Sequence, residues 1–366
     1  MQLQSAQGAA QSVVLQILDL ARWAPSGDNS QPWRFDVLAE DHVVVHAFDT
    51  RSHCVYDLEG RASQLSVGAL LETVRIAASA HQRVARVTRR DAPPEAPVFD
   101  VRFELTPALP ADDLHVAIRD RSVARRPLSL RRLRPEERQK LESAVGDGYR
   151  VVWFESARER LRLAWLAVKS AKIRLTIPEA YAVHRQIIEW DARYSEDRVP
   201  DQALGADPLS LRSMRWVMAR WDRVQMMNRY FGGTLAPRFQ LDLLPGLFCA
   251  AHFALVARRP PKDIDDFLAA GAAVQRFWLT ATTLGLQLQP QYTPLVFAGY
   301  ARTQVPFTAV ESARRRAGWV ERRLALLLGA QGAPATVFLG RLGHGRPHPA
   351  RSLRLPLDRL MVVGAP

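Results

Sequence analysis

Ala24-Pro25-Ser26-Gly27-Asp28-Asn29-Ser30-Gln31-Pro32-Trp33 is the stretch on which the reading of this chain turns. Two prolines bracket it, Gly27 gives its backbone freedom, and Ser26, Asp28, Asn29, Ser30 and Gln31 crowd polar groups between them. The residue before a proline disfavours the α region, so the amphipathic helix over residues 12–23 ends at Ala24-Pro25. A strand-like run, Trp33 to Leu38, follows. A rigid loop between a helix and a strand holds many hydrogen-bonding groups at a sheet edge, which suits a polar planar ligand or a phosphate. The same residues also suit a self-capped turn in which Ser26 or Asp28 satisfies local amides.

Outward from this loop, residues 43–48 read as a strand and 63–81 as a long helix with Leu65, Ala69, Leu70, Val74 and Ala77 on its apolar face. Strands follow at 84–88 and 99–105, then a connection at 106–113 and a short helix at 114–120. Pro135-Glu136-Glu137 opens a helix with acidic charge in its first turn, as the helix dipole favours. The pattern then restarts, with a strand at 150–154, helices at 157–171 and 263–285, and a strand at 335–340. The two long helices carry similar faces: Gly68-Ala69, Glu72 and Ala77-Ala78 in one, Gly271-Ala272, Gln275 and Thr280-Ala281 in the other. Small residues at helical spacing let another backbone come close. These features predict an α+β fold of two related halves, residues 1–110 and 111–366. The second half carries a Trp- and Met-rich insertion at about 179–233 with no counterpart in the first.

Composition narrows the function classes. The 366-residue chain is 48% hydrophobic and 24% charged, the balance of a globular protein. Its net charge is +13, and only four of the basic residues are lysine. These charges are spread along the chain without interleaved aromatics, so no nucleic-acid interface is expected. Residues 243–257 form the most apolar run. Pro245 and His252 interrupt it, and it falls short of the ~20 residues a membrane span needs, so it reads as a buried strand or helix. Residues 1–10 lack the basic and apolar regions of a secretory signal, and Cys54 and Cys249 have no metal or CxxC spacing. A cytoplasmic protein with reduced thiols is the expectation. Gly345 and Pro347 lie between His344 and His348, so no metal site is expected there.

The loop resembles the PS-x-x-NSQPW signature of nitroreductase-type FMN flavoproteins. It matches at Pro25, Ser26, Asn29, Ser30, Gln31, Pro32 and Trp33, and Arg22 and Ala24 also fit. The resemblance implies that the loop contributes to an FMN site across a subunit interface. Residues 118–127 are similar to the basic segment that opens a nitroreductase domain. Arg121 and Arg125 fall on its two basic positions, with the implied role of gripping the FMN phosphate and ribityl chain. Val123 stands where a hydroxyl is usual, with Ser122 beside it. The run Gly285-Leu286 to Gln289-Pro290-Gln291-Tyr292-Thr293 is similar to the family's flavin-edge turn. There the backbone of Gln291, Tyr292 and Thr293, next to Pro290, would meet flavin N5; the acidic residue often found at this place is missing. Residues 340–343 and 349–357 resemble the closing strand and basic pair, with Arg354 first and Arg351 second as phosphate ligands. Without the resemblance these three segments would read as a solvated basic end, a helix C-terminus and a basic tail.

The loop occurs only in the first half and the arginine sets only in the second. This arrangement resembles the fused double-domain (Acg-like and MoeY-like) branch of that superfamily, an intrachain pseudo-dimer with one FMN site kept and one lost. The resemblance implies an FMN-dependent oxidoreductase that takes a hydride from NAD(P)H at flavin N5 and passes electrons to an unidentified small acceptor. The alternative is an FMN-sequestering protein whose insertion closes the site as a lid. Trp216 and Trp221, with Met218 and Met226, are candidates for an apolar wall of that lid and equally suit ordinary packing. His184 is a candidate proton donor or a structural histidine. No catalytic residue is assigned, and the expected assembly is a monomer or a dimer of fused pseudo-dimers.

Overall fold

The computed structural model describes residues 12–362, so the stretch 1–10, read above for a secretory signal, lies outside the described residues. Ser12 caps the first helix, α1 (Val13–Ala21), which buries Val14, Ile17, Leu18 and Ala21. Strands β1 (Trp33–Ala39) and β2 (His42–Ala47), helix α2 (Arg61–Ser79), and strands β3 (Arg83–Arg89) and β4 (Val98–Leu105) follow. The four strands form a sheet in the order β1-β2-β4-β3, antiparallel throughout. Trp33, Phe35, Leu70 and Phe99 lie in the core between this sheet and its helices.

The same succession then recurs. Helix α3 (Pro135–Ala144) leads to β5 (Tyr149–Phe154). A long excursion follows, comprising α4 (Ala157–Arg174), α5 (Pro178–Ile187), the short strands β6 (Ile188–Glu189), β7 (Tyr194–Ser195) and β8 (Val199–Pro200), α6 (Pro208–Met218), α7 (Trp221–Tyr230) and a π-helical turn, Arg238–Leu243. The chain returns through β9 (Ala251–Ala257), α8 (Ile264–Thr283), β10 (Leu286–Pro290), α9 (Thr293–Thr303), α10 (Glu311–Leu328), β11 (Thr336–His344) and β12 (Arg351–Ser352). The second sheet runs β10-β11-β9-β5, again all antiparallel. Taken in chain order, β5, β9, β10 and β11 thus hold the places that β1, β2, β3 and β4 hold in the first sheet.

The connections differ. Two residues, 40–41, join β1 to β2, whereas residues 155–250 join β5 to β9 and residues 291–335 join β10 to β11. Residues 286–290, read from sequence as a turn, are a strand. The apolar run at 243–257 contains β9, in which only Ala257 is not fully buried. The closing residues also cross back. Leu355 and Leu360 lie in the core of the first sheet, and the Val362 amide donates to Phe35 O at 2.7 Å.

The two sheets are joined through α2 and α8, which touch backbone to backbone. A Cβ on Gly68 would stand 2.1 Å from Leu268 O, and one on Gly271 would stand 2.1 Å from Leu65 O. Along the same seam Gln275 Nε2 donates to Thr73 Oγ1 at 2.9 Å, and Arg276 bridges Glu72 and Asp112, both at 2.9 Å. Among the described residues no helix is long and apolar enough to cross a membrane.

Candidate functional site

The loop after α1 carries unusual backbone strain. Asp28, Asn29 and Gln31 have φ of 51°, 63° and 46°, a left-handed conformation that non-glycine residues adopt at a cost of about 1–3 kcal/mol each. Many contacts hold it. Ser26 Oγ accepts from the Gln31 amide at 3.0 Å, and the Gly27 amide reaches Ser66 Oγ on α2 at 3.4 Å. Asn29 Nδ2 donates to the carbonyls of Glu196 and Arg198 at 3.0 and 3.2 Å. Gln31 Nε2 donates to Glu196 O at 2.9 Å, and its Oε1 accepts from the Leu355 amide at 2.9 Å. Asn29 and Gln31 therefore fasten the loop to residues 194–200 of the excursion and to the closing segment, which pair with each other through β7 and β12. Their side-chain amides are spent on protein backbone and on Arg354, and the loop faces left half-buried are those of Pro25, Ser26 and Asp28.

Three arginines gather under the loop. Arg121 is 3% exposed, donates Nη2 to Trp23 O at 2.9 Å and lies over the Trp278 ring at 4.6 Å. Arg354 donates Nε to Ala24 O at 3.0 Å and Nη1 to Asn29 Oδ1 at 2.9 Å. Arg351 donates to Arg119 O at 2.8 Å and stands over Trp23 at 5.4 Å. Arg22 braces the closing segment through Leu355 O, 2.9 Å, while paired with Asp19. Among the described residues no carboxylate lies within ion-pair distance of Arg121, Arg351 or Arg354. Burial, and then the neighbouring Arg354 and Arg351, hold the Arg121 pKa well below its usual value; burial and Arg351 bring Arg354 to about 9. The Nε groups of Arg121 and Arg351 are buried without an acceptor. Clustered guanidiniums with unfilled donors call for a multiply charged anion, and a phosphate monoester has that chemistry.

The segment between Arg121 and Arg125 is locked to the second sheet. Val123 bridges to Leu288, and the Ala124 amide donates to Leu288 O at 2.9 Å. Ser122 is half-buried beside it. Arg341 on β11, which the sequence analysis did not single out, is 1% exposed and donates Nη2 to the carbonyls of Ala124, Arg125 and Arg126 at 3.0, 2.9 and 3.1 Å. That anchor sets the position of Arg125, whose Nη1 reaches Ala203 O at 3.3 Å.

At the expected flavin edge the structure amends the reading. The Gln291 amide donates to Leu339 O at 2.7 Å, continuing the β10–β11 ladder beyond Pro290, so it is not available to a ligand. The amides of Tyr292 and Thr293, at the start of α9, have no protein acceptor among the described residues. The Gln291 side chain meets His252 Nδ1 at 2.7 Å, and His252 Nε2 meets Gly246 O at 2.7 Å. Burial holds the His252 pKa down to about 4.

Trp216 and Trp221, the candidate lid tryptophans, have different neighbours. Trp216 is 50% exposed with Arg223 over its ring at 4.6 Å, and α6 buries none of its residues. Trp221 packs on Tyr181 at 5.1 Å. His184 points inward, its Nε2 2.9 Å from Tyr56 OH with the rings stacked at 5.7 Å. Burial and then Arg174 lower its pKa to about 3, which disfavours the imidazolium form.

On the other side of the α2–α8 seam lies a groove of about 550 Å³ lined by Leu71, Phe99, Val145, Leu268 and Ala272. There only residues 145–148 join α3 to β5, where residues 22–32 join α1 to β1. Its arginines are neutralised: Arg75 by Glu72, Arg89 by Asp265, Arg276 by Glu72 and Asp112. Of these two places, the one beneath the loop holds the arginines without a carboxylate partner among the described residues. Among the described residues no group of His, Cys, Asp and Glu gathers as a metal site.

No family model matches the chain. It is 25% identical over 288 residues to the uncharacterized protein MT1398 of Mycobacterium tuberculosis, covering 75% of this chain and 38% of that one. Over 98 residues it is 37% identical to acg of Mycobacterium tuberculosis, a protein provisionally named an NAD(P)H nitroreductase, with 26% of this chain and 28% of acg covered. The chain thus spans well under half the length of these curated relatives. Its structural neighbours are nitroreductase-like and include the FMN-dependent nitroreductase NfnB of Mycobacterium smegmatis in complex with NADPH. That likeness has a TM-score of 0.33 at 17% identity, over 68% of this chain and 96% of NfnB.

Proposed function

We propose that the protein binds FMN beneath the loop at residues 24–32 and uses it as an oxidoreductase, with NAD(P)H as electron donor and a small molecule as acceptor. The observation that carries this reading is the trio of buried Arg121 and Arg354 with half-buried Arg351, none with a carboxylate partner and two with an unfilled guanidinium Nε. The partial likeness to acg supports the same chemistry.

In this reading Arg121, Arg351 and Arg354 hold the phosphate, and Arg125 and Ser122 lie along the ribityl chain. Pro25, Ser26 and the amides of Tyr292 and Thr293 border the ring. Arg22, Asn29, Gln31 and Arg341 act one step back, fixing the loop and the Arg125 segment. When bound, FMN supplies the capacity to accept a hydride at N5 and to pass electrons on. The protein's share is to bind, orient and exclude water, and a loop fixed in a strained conformation is already organised for that task. The repeated strand order and the α2–α8 seam support a chain built of two related halves, with a flavin site on one side only. The expected boundary near residue 110 suits this, except that residues 355–362 belong with the first sheet.

Storage without turnover is the second reading. The docking of residues 194–200 onto Asn29 and Gln31 favours it, because a strap tied to the loop restricts entry. One experiment orders the two. The purified protein should be yellow with about one FMN per chain, and NADH or NADPH should bleach the flavin band anaerobically. A colourless protein that takes up no FMN would sink both readings, while bleaching by dithionite alone would select storage.

A further inference from the structure

Between residues 208 and 239 the excursion leaves large apolar side chains in solvent. Helices α6 and α7 are joined by residues 219–220 alone and pack on each other. On α6 the exposed Leu209, Arg212, Ser213 and Trp216 follow helical spacing and share one face; on α7 Asp222, Met226, Arg229 and Tyr230 do the same. Leu209, Tyr230, Phe231 and Leu235 are 63–77% exposed, and Phe239 is 52% exposed. Two contacts tie the segment together. Gln240 Nε2 donates to Asp207 Oδ2 at 2.8 Å, joining the π-helical turn to the start of α6, and Arg223 Nη1 donates to Trp216 O at 3.1 Å. Two others anchor it to the body of the protein: Asn228 Nδ2 donates to Leu175 O at 2.8 Å, and Asp242 pairs with Arg174 of α4 at 3.3 Å.

The charge of this segment is one-sided. Residues 208–239 hold six arginines and one acidic residue, Asp222. Asp222 offsets Arg220, and Asp191 offsets Arg215. Arg212, Arg223, Arg229 and Arg238 have no carboxylate within ion-pair distance among the described residues. Two of these stand over exposed rings, Arg223 over Trp216 at 4.6 Å and Arg229 over Tyr230 at 5.3 Å.

We propose that residues 208–239 dock on an anionic lipid surface, a peripheral contact for which no spanning helix is needed. Apolar side chains set among surplus arginines are the composition with which a segment enters the headgroup region. The rings and leucines leave water there, and the guanidiniums reach lipid phosphates. A second copy of this chain fits worse, because it would set two arginine-rich faces against each other. Single-stranded RNA could stack on the rings, but it would leave Leu209, Met226 and Leu235 in water. This docking is independent of the flavin reading.

The test is co-sedimentation of the full chain with vesicles of phosphatidylglycerol and, separately, of phosphatidylcholine. The protein should partition at least about tenfold more strongly onto the anionic vesicles. Arg212→Gln/Arg229→Gln should cut that partition at least about tenfold, since each arginine at such a surface is worth about fivefold. Tyr230→Ser/Phe231→Ser should cut it comparably while leaving the net charge at +13. All four side chains are exposed, and circular dichroism checks that both variants fold. Binding that survives the serine substitutions would be the general attraction of a basic protein to an anionic surface and would overturn the proposal. Equal partition onto the two kinds of vesicle, or partition onto neither, would overturn it as well. So would a dimer in sedimentation equilibrium that the serine variant dissolves, or single-stranded RNA retained as strongly as the anionic vesicles.

Discussion

Gly68 and Gly271 are each other's counterparts across the α2–α8 seam: each meets the carbonyl of the leucine three residues before the other, at the same 2.1 Å from a notional Cβ. Such reciprocity is the mark of a local two-fold relation, and it leaves no room for a methyl group. Neither helix can withdraw without opening the core it shares.

Gly68→Ala and Gly271→Ala should therefore each cost at least the 1–3 kcal/mol typical of overpacking. Gly27→Ala, where a Cβ would meet nothing within 4 Å, should leave stability nearly unchanged. Urea denaturation of the three variants checks this ordering.

Arg121→Ala should weaken FMN binding by about 1.5–3 kcal/mol, the worth of a charge-assisted contact to a buried phosphate. Arg125→Ala should weaken it in the same range. Fluorescence titration with FMN measures both.

Asn29→Ala removes the donor to Glu196 O and Arg198 O and the acceptor for Arg354. Stability should fall by about 1–3 kcal/mol through the groups left unsatisfied. Residues 194–200 should become the first site of limited proteolysis. If the strap governs access, the same variant should also speed NADPH-dependent bleaching in stopped flow.

Acid should destabilise the fold above the pH range in which ordinary exposed carboxylates are protonated. His252 and His184 are held neutral, with pKa values near 4 and 3, below the usual 6.5 of histidine. Between these values the unfolded chain binds protons that the folded chain refuses, so stability is full above pH 6.5 and declines as pH falls towards 4. Urea midpoints measured from pH 7.5 to pH 4.5 should drop steadily, and His252→Gln should flatten the slope.

Local signals made much of this architecture legible. Periodicity placed α1, α2 and α8 to within a few residues, and the matching glycine faces of the two long helices pointed to their contact. Helices α9 and α10 went undrawn, although Ala313, Ala317, Val320 and Leu324 form a buried stripe at helical spacing, because arginines fill the rest of that helix. The loop and its arginines were visible as motifs. Their division of labour was not: whether Asn29 faces a ligand or the backbone of Glu196 depends on a partner 167 positions away. Arg341 was hidden for a similar reason, since a lone arginine within an apolar strand gives no sign that three carbonyls await it. The Arg174–Asp242 pair left no pattern at all, as its members sit 68 positions apart on unrelated elements.

The α2–α8 seam also orders events during synthesis. The first sheet is assembled from near neighbours in the chain, whereas the glycine face of α2 gains its partner only once residues 264–283 have been made. The pairing of Phe154 with His252 across β5 and β9 likewise waits for the whole excursion between them. Non-local pairings of this kind are slow, and an apolar helix face kept waiting is exposed to wrong partners. The first half emerges from the ribosome as a sheet with an open flank, and its need for protection ends when its own sequel arrives.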